Sequence, residues 1–487
     1  MPYKDLREFI SRLENQNELV RINQPVSPIL EITEITDRVC KGHAKRNAAL
    51  LFEHVIGSNM PVLINAFGSA ERMAMALGVN RLDDLNENLS RLIDMRLPQG
   101  FGGVLERGQE LLNALRSIGL SPKKVRRAAC QEIVYKDNPS LDLLPILQSW
   151  PKDGGRFITL PQVITRDPQT GVRNVGMYRL QVVDQHTLLM HWQRHKGGAE
   201  HQRVAQEIHQ SHIPAAIVLG GDPASIWCAS APLPPNIDEY LLAGYLRGKP
   251  VEFVDCVSQP LQVPAQAEII LEGYVDLNDF RPEGPFGDHT GYYTPIELFP
   301  AFHITAITQR QDAIYPTTVV GIPPMEDAWM GKATERLFLP LIRLFIPEVV
   351  DICMPAEGVF HNLVLVSIRK RFPGQAHKVI FGLWGLALLS LAKAIVVVDE
   401  WVDVQNPSQT AWQALGNVDW SHDVIISNGP VDQLDHASYQ PSFGGKIGID
   451  ATAKLPEEGY QRGWQEVVRM DPQIQDKINQ LWNNLNL

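Results

Sequence analysis

The sequence predicts an α/β (α+β) protein of several domains. Three observations carry this. The chain has 487 residues, too many for one hydrophobic core, and roughly 100–200 residues per domain make about three. Segments of helical apolar spacing alternate with short strand-like runs at both ends. Between them the texture is β, with turn signals between short runs.

Composition narrows the class. Hydrophobic residues make up 44% and charged residues 20%, ordinary globular usage that excludes long disorder. Lys plus Arg is 44 against 55 for Asp plus Glu, a net charge of −11. That argues against sequence-independent nucleic-acid binding, which needs phosphates neutralised, but leaves room for a local basic pocket. Cys40, Cys130, Cys228, Cys256 and Cys353 are scattered without a C-x-x-C pair, so core thiols are expected rather than a disulfide framework or structural zinc. The start, Met1 to Arg7, has no apolar region of signal-peptide type. The longest apolar run, Val379 to Ala392, has 14 residues and falls short of the roughly 20 that span a bilayer. It reads as a buried or interface helix. The expected location is cytoplasmic, with a peripheral membrane contact left open.

The elements follow in order. Residues 5–15 and 29–40 have helical spacing, 49–52 and 62–64 are strand-like, and Ser69 can cap a helix running to Leu77. A Gly-rich stretch, Pro98 to Gly103, breaks the pattern. From about Ala129 to Ala306, residues 163–165, 174–182 and 187–192 read as a meander turning at Asp167-Pro168-Gln169-Thr170-Gly171 and at Asp184-Gln185, suited to a barrel or sandwich. A helix near 199–209 interrupts it, and Asp222-Pro223 opens another. After Pro324, helices at 334–345 and 376–391 alternate with strands at 363–368 and 395–398, a βαβ pattern.

Three segments concentrate unusual residues. Asn174 and Arg179 are five apart, on opposite faces of an extended strand unless a bulge intervenes. Met190 to Gly198 holds two His, two bases and a Gly pair, which suits an anion, although a solvated loop entering a helix has the same composition. In Arg281 to Tyr293, Glu283 and Asp288 stand among Gly and Pro. Two acids in one enclosed pocket should titrate apart, one being raised and available as a proton donor; a tight surface loop is the plainer alternative. Glu239, at the start of an apolar helix, is by itself a first-turn carboxylate favoured by the helix dipole. The segment Gly444 to Gly448 lacks P-loop spacing, and no G-x-G-x-x-G follows a strand.

In order and spacing, Asn-x-x-x-x-Arg, His-Lys-Gly-Gly, the helix-start Glu and Pro-Glu-Gly-Pro-Phe-Gly-Asp-His-Thr-Gly-Tyr-Tyr resemble the UbiD family of decarboxylases. The likeness runs from Glu31-Ile32-Thr33-Glu34-Ile35 to Gly448-Ile449-Asp450-Ala451-Thr452, almost the whole chain, and is strongest toward the 3-polyprenyl-4-hydroxybenzoate branch of quinone biosynthesis. It implies an N-terminal α/β domain over 1–115, a central split β-barrel-like domain over 116–324 that binds prenylated FMN and metal, and a C-terminal α/β domain over 325–487 serving oligomerisation. It implies a Mn2+ site on Asn174, His195 and Glu239, a donor set that suits Mn2+ or Mg2+. A monovalent cation such as K+ is a further candidate. Cofactor contacts carry over to Met177, Tyr178, Arg179, His191, Trp192, Gln193, Lys196 and Gly197, and the catalytic set to Arg179, Glu283 and Asp288.

The implied activity is reversible non-oxidative decarboxylation of an aromatic or unsaturated acid by a homo-oligomer, with a flavin prenyltransferase as cofactor supplier. His191 and Lys196 stand where relatives of that branch commonly have Arg; lysine keeps the charge but loses the planar fork. Two other classes compete. A flavin-dependent oxidoreductase predicts hydride transfer from NAD(P)H and gives no reason for the Arg179, Glu283 and Asp288 set. A non-catalytic cofactor-holding scaffold of a quinone-biosynthesis assembly predicts no CO2 release.

Overall fold

The protein's computed structural model describes residues 3–96, 121–193, 196–233, 237–482 and 485. The predicted break at Pro98 to Gly103 and the histidine at 195 lie outside them. Local chemistry sets the first elements. Asp5 Oδ1 accepts from the backbone N–H groups of Arg7 and Glu8 at 3.1 Å each, capping the helix Leu6–Asn15, and Ser69 caps Ala70–Ala76 through Arg72 N–H. Strands Ala49–Phe52 and Val62–Ile64 fall where apolar runs placed them. Leu19–Ile22, for which the sequence pattern gave no signal, pairs in parallel with Ala49–Phe52. A fourth strand, Tyr315–Pro316, comes from far along the chain and pairs in parallel with Val62–Leu63.

Among the described residues the central sheet has nine strands, all antiparallel, curled into a half-barrel. Its order is Phe157–Ile158, Leu180–Val182, Thr187–Met190, Glu297–Gln309, Ile269–Glu283, His212–Leu219, Gln162–Arg166 and Arg173–Gly176, with Ile133–Tyr135 also on Glu297–Gln309. The two long strands, 15 and 13 residues, shift register at Glu272/Gly273 and at Asp276/Phe280. Such bulges sharpen twist and let a sheet curl. The long strand expected over 174–182 is two short strands instead, broken at 177–179, where Met177 N–H leaves the ladder for Ala229 O at 2.8 Å. That break removes the alternation argument against Asn174 and Arg179 serving one site.

The last sheet is mixed, in the order Val349–Cys353, Leu363–Ile368, Ala394–Asp399, Phe443–Asp450, Val424–Pro430, with the three middle strands parallel. The apolar run ending at Ala392 forms the helix Gln375–Trp384 and a 3-10 turn, burying Val379, Ile380 and Leu383 while leaving Phe381 exposed. Among the described residues no helix is long and apolar enough to cross a membrane. All five cysteines are free, with Cys130, Cys228 and Cys353 buried and Cys40 and Cys256 partly so.

The first two sheets share their cores. Leu6, Phe9 and Met73 pack with Trp227, Tyr240 and Phe253, and Ile32, Phe52 and Val62 pack with Leu180, Ile217 and Phe302. The last sheet has cores of its own. The helix Glu326–Phe345 joins the two bodies: Met330, Ala333 and Leu337 enter the first core, and Leu339 and Ile342 enter the last. It begins eight residues before the helical spacing predicted.

Candidate active site

Two clusters lie on either side of the break at 177–179. On one side, Arg179 holds both acids. Its Nε donates to Glu283 Oε1 at 2.7 Å and its Nη2 to Glu283 Oε2 at 3.0 Å, the paired fork that guanidinium and carboxylate geometry allow. Nη1 donates to Asp288 Oδ2, and Nη2 also reaches Thr294 Oγ1 at 3.1 Å. The guanidinium carbon lies 4.7 Å from the centre of the Phe286 ring. These bonds use four of the five guanidinium N–H groups and leave one on Nη1. The Arg179 side chain is only 8% exposed and Glu283 is fully buried, so this network is sheltered from water.

The loop carrying the acids is held by side chains outside the recognised motif. Gly284 N–H donates to Gln181 Oε1 at 2.7 Å, and Gly287 N–H donates to Asp153 Oδ1 at 2.8 Å. Asp153 Oδ2 in turn accepts from the N–H groups of Ser149 and Trp150. Nothing local in the sequence marks Gln181, Asp153 or Thr294, because each acts on a partner more than one hundred residues away.

The expectation that one acid is raised does not hold. Burial acts against ionising Glu283, but hydrogen bonds from His191 and Arg179, with the guanidinium charge, outweigh it and hold the carboxyl at about 2. Asp288 is buried too. His289, hydrogen-bonded to it, and Arg179 bring it well below the usual carboxylate range. One guanidinium shared between both carboxylates removes the like-charge conflict on which that expectation rested.

His191 Nδ1 lies 3.2 Å from Glu283 Oε2, and its ring stands 4.1 Å from that of Phe299. Burial and the Arg179 charge lower the His191 pKa, so the ring is neutral and donates Nδ1–H. Its Nε2 is buried without a hydrogen-bond partner. A buried unpaired nitrogen carries a desolvation cost of ~1–3 kcal/mol. A polar group of a bound ligand would relieve it.

On the other side of the break, Val175 N–H donates to Glu239 Oε2 at 2.8 Å, bringing the start of helix Glu239–Arg247 against the strand that carries Asn174. Asn174 Nδ2 reaches Tyr178 Oη at 3.3 Å, and Tyr178 Oη accepts Gly198 N–H at 3.1 Å. A Cβ on Gly197 would come within 1.9 Å of Asn174 Oδ1, so any side chain at the start of helix Gly197–Glu207 would displace the Asn174 amide. Trp192, edge-on to Tyr178 with ring centres 6.2 Å apart, donates Nε1–H to Gln202 Oε1 at 2.6 Å. Gln193 O accepts Lys196 N–H at 3.0 Å, just ahead of the helix. Burial lowers the half-buried Lys196 ammonium's pKa, opposed by the charge of Asp432.

Asn174, Glu239, Tyr178, Trp192, Lys196 and Gly197 are thus brought together, and Met177 lies at the break itself. Arg179, His191, Glu283 and Asp288 form the adjoining cluster. Among the described residues no group of three or more His, Cys, Asp and Glu side chains gathers. The amide oxygen of Asn174 and the carboxylate of Glu239 are hard oxygen donors, fitting Mn2+ or Mg2+. Burial pushes Glu239 up to about 8, with the nearby Arg173 guanidinium already paired to Asp238 at 2.6 Å. A divalent cation would supply the missing countercharge. Beside it, the first turn of helix Gly197–Glu207, whose Gly198 N–H is taken by Tyr178 Oη, stands next to Lys196, an arrangement fitting a phosphate. Both implied groups therefore fit the residues present.

Three family models match in chain order: the 3-octaprenyl-4-hydroxybenzoate carboxy-lyase N-terminal domain over residues 10–92, its Rift-related domain over 123–323 and its C-terminal domain over 328–451. The chain belongs to the UbiD family of carboxy-lyases. An uncharacterized protein of Archaeoglobus fulgidus is 51% identical over 486 residues, covering 100% of this chain and 99% of its own length. Among solved structures, the vanillic acid decarboxylase of Sedimentibacter hydroxybenzoicus in closed form matches with a TM-score of 0.85 and 29% identity, over 99% of this chain and 100% of that one. The UbiD-class enzyme HmfF of Pelotomaculum thermopropionicum in complex with FMN matches with a TM-score of 0.80 and 28% identity, over 97% and 98%.

Proposed function

We propose that the protein catalyses reversible non-oxidative decarboxylation of an aromatic or unsaturated carboxylic acid, a 3-polyprenyl-4-hydroxybenzoate being the first candidate, with prenylated FMN and Mn2+ bound. The observation that carries this reading is the buried Arg179 fork on Glu283 and Asp288, set beside the Asn174 and Glu239 oxygen donors. Asn174, Glu239 and His195 would hold the metal. Met177, Tyr178, His191, Trp192, Gln193, Lys196 and Gly197, with Arg179, would line the cofactor. Bound there, the flavin supplies the electron sink that no side chain offers.

The remaining work falls to the chain's own residues. The free Nη1–H of Arg179 orients the substrate carboxylate, which then competes with Asp288 for the guanidinium. Asp288, losing part of the support that keeps it ionised, becomes able to carry a proton to the carbon that CO2 leaves. Glu283 stays ionised and holds the guanidinium plane in place. The substrate is an acid of the kind named for the vanillic acid decarboxylase relative, with or without a prenyl chain.

The organisation belonging to this reading is domains at 1–115, 116–324 and 325–487, a homo-oligomer, and a cytoplasmic protein supplied by a flavin prenyltransferase, with K+ as a further ion. The test is expression with a flavin prenyltransferase, mass and absorbance measurement of the bound cofactor, and CO2 release or isotope exchange from a panel of aromatic acids. Hydride transfer from NAD(P)H in place of CO2 release would overturn the reading.

A further inference from the structure

His289 belongs to the half-barrel and His361 to the last sheet, which has cores of its own. His289 follows Asp288 in the loop leaving the half-barrel, while His361 lies between the 3-10 turn Ala356–Gly358 and strand Leu363–Ile368. Their Nε2 atoms are 3.1 Å apart. His289 Nδ1 lies 2.8 Å from Asp288 Oδ1, which also accepts the His289 backbone N–H at 2.7 Å. Phe360 stacks on the His289 ring, with centres 5.3 Å apart and planes 23° from parallel, which fixes the ring's plane. The same loop meets the C-terminal body again where Tyr292 faces His436, ring centres 4.0 Å apart.

An Nε2 to Nε2 contact is a hydrogen bond only when one ring carries the proton and the other presents its lone pair. The surroundings decide which. His289 faces the carboxylates of Asp288, Asp327 and Asp432. Against the cost of burial, the Asp288 hydrogen bond and these charges raise its pKa above the imidazole value of 6.5. His361 faces His289, Asp432, Asn362 and Lys196; burial first, and then the charge of His289, bring it down to about 4. The Asp288 carboxylate on Nδ1 and the acidic surroundings place the shared proton on His289, which donates from Nδ1 to Asp288 and from Nε2 to His361, whose own Nδ1 then carries the ring hydrogen, buried without a partner.

We propose that the proton delivered to the reacting carbon is stored on His289, and that His361, contributed by the C-terminal body, is the positioning residue that keeps it there. This rests on the reading of Asp288 as the last carrier. In the step, the His289 Nδ1–H bond breaks as an O–H bond forms on Asp288. That O–H then breaks as the C–H bond forms with the electron pair released by CO2. His289 is left neutral and takes one proton from water before the next turnover, with no change of oxidation state. Carboxylation runs the same proton backward. The store is complete only when the two bodies are in contact.

The test uses full-length protein labelled with 15N-histidine, compared as wild type, His361→Phe and His361→Gln, with His361→Leu as the substitute should the Phe variant not fold. Long-range 1H–15N NMR of cofactor-free protein reads the His289 titration. The pH profile of kcat/KM for enzyme made with a flavin prenyltransferase reads the function. In wild type, His289 should titrate above 6.5. His361→Phe should lower that titration by about one pH unit, the worth of a charge-assisted hydrogen bond, and move the alkaline limb of kcat/KM down equally. His361→Gln, which keeps an acceptor, should recover most of both. A His289 titration identical in wild type and His361→Phe overturns the role of His361, and so does a limb that moves without it. Absence of CO2 release by the wild-type enzyme overturns the decarboxylase reading instead, and with it the storage role.

Discussion

Arg179 and Glu283, 104 positions apart in the chain, face each other plane to plane through two hydrogen bonds of 2.7 and 3.0 Å in a pocket where Glu283 has no exposed surface. A buried carboxylate is tolerated there because the guanidinium answers it in both charge and geometry, while breaking such a pair costs ~3–5 kcal/mol. The pair therefore sets both the stability of this region and what its neighbours can do.

Replacing Arg179 by Lys keeps the charge and loses the fork. CO2 release should fall ~100-fold or more, the usual size of an acid–base contribution, with the bound flavin spectrum retained. Asp288→Asn should abolish release to the same background while cofactor binding persists. Single-turnover CO2 measurement beside absorbance of the bound cofactor checks both; full activity in Asp288→Asn removes that residue from the chemistry.

Glu283 gives the pH dependence of stability a defined sign. Its folded value, about 2, lies below the ordinary 4.5, so its contribution is present above pH 4.5 and is lost as pH falls toward 2. The difference is worth at most about 3 kcal/mol. Denaturant unfolding between pH 6 and 3 should show wild type losing stability more steeply than Glu283→Gln below pH 4.5. Equal slopes would count against the depressed value.

Glu239→Gln should lower metal and cofactor occupancy together, because in the proposed site this carboxylate holds the metal beside the turn proposed to take the cofactor phosphate. Metal analysis and flavin absorbance on the same purified sample decide it. Loss of metal with full flavin retention would separate the two sites.

Gly197→Ala tests the packing at that turn. The added methyl would stand 1.9 Å from Asn174 Oδ1, so the amide must move, although alanine itself favours a helix by ~1 kcal/mol over glycine. The melting temperature should change by only a few degrees, about what 1 kcal/mol moves a chain of this size. Metal retention should drop ~10-fold or more, the scale of a misplaced ligand. A variant that melts early without losing metal would show the glycine to be structural.

How much of this was legible in the sequence depends on distance along the chain. Helices with a local cap, such as Leu6–Asn15 behind Asp5 and Pro223–Cys228 behind Asp222, sit where side-chain chemistry put them. The segments bearing Arg179, Glu283 and Asp288 were visible because unusual residues cluster in them. The strand Tyr315–Pro316 was not, because its register comes from Val62 and Leu63, some 250 residues earlier. His361 was likewise invisible: it is one histidine before a strand, and its meaning comes only from the His289 ring brought to it by folding. The error over the two acids had the same origin, since like-charge repulsion could be reasoned from spacing, while the guanidinium between them was signalled only by the resemblance that grouped Arg179 with Glu283 and Asp288. Of the oxygen-donor site, Asn174 and Glu239 are placed, and His195 lies outside the described residues.

The helix Glu326–Phe345 carries Pro340 where both cores meet it: Leu337 and Leu341 pack with the first, Leu339 and Ile342 with the last. Proline removes one rung of the helical ladder and crowds the carbonyl four residues before it, so side-chain packing has to hold the helix together at that point. The seam between the half-barrel and the C-terminal sheet is therefore stapled by side chains from both cores at the place where the helix backbone is weakest.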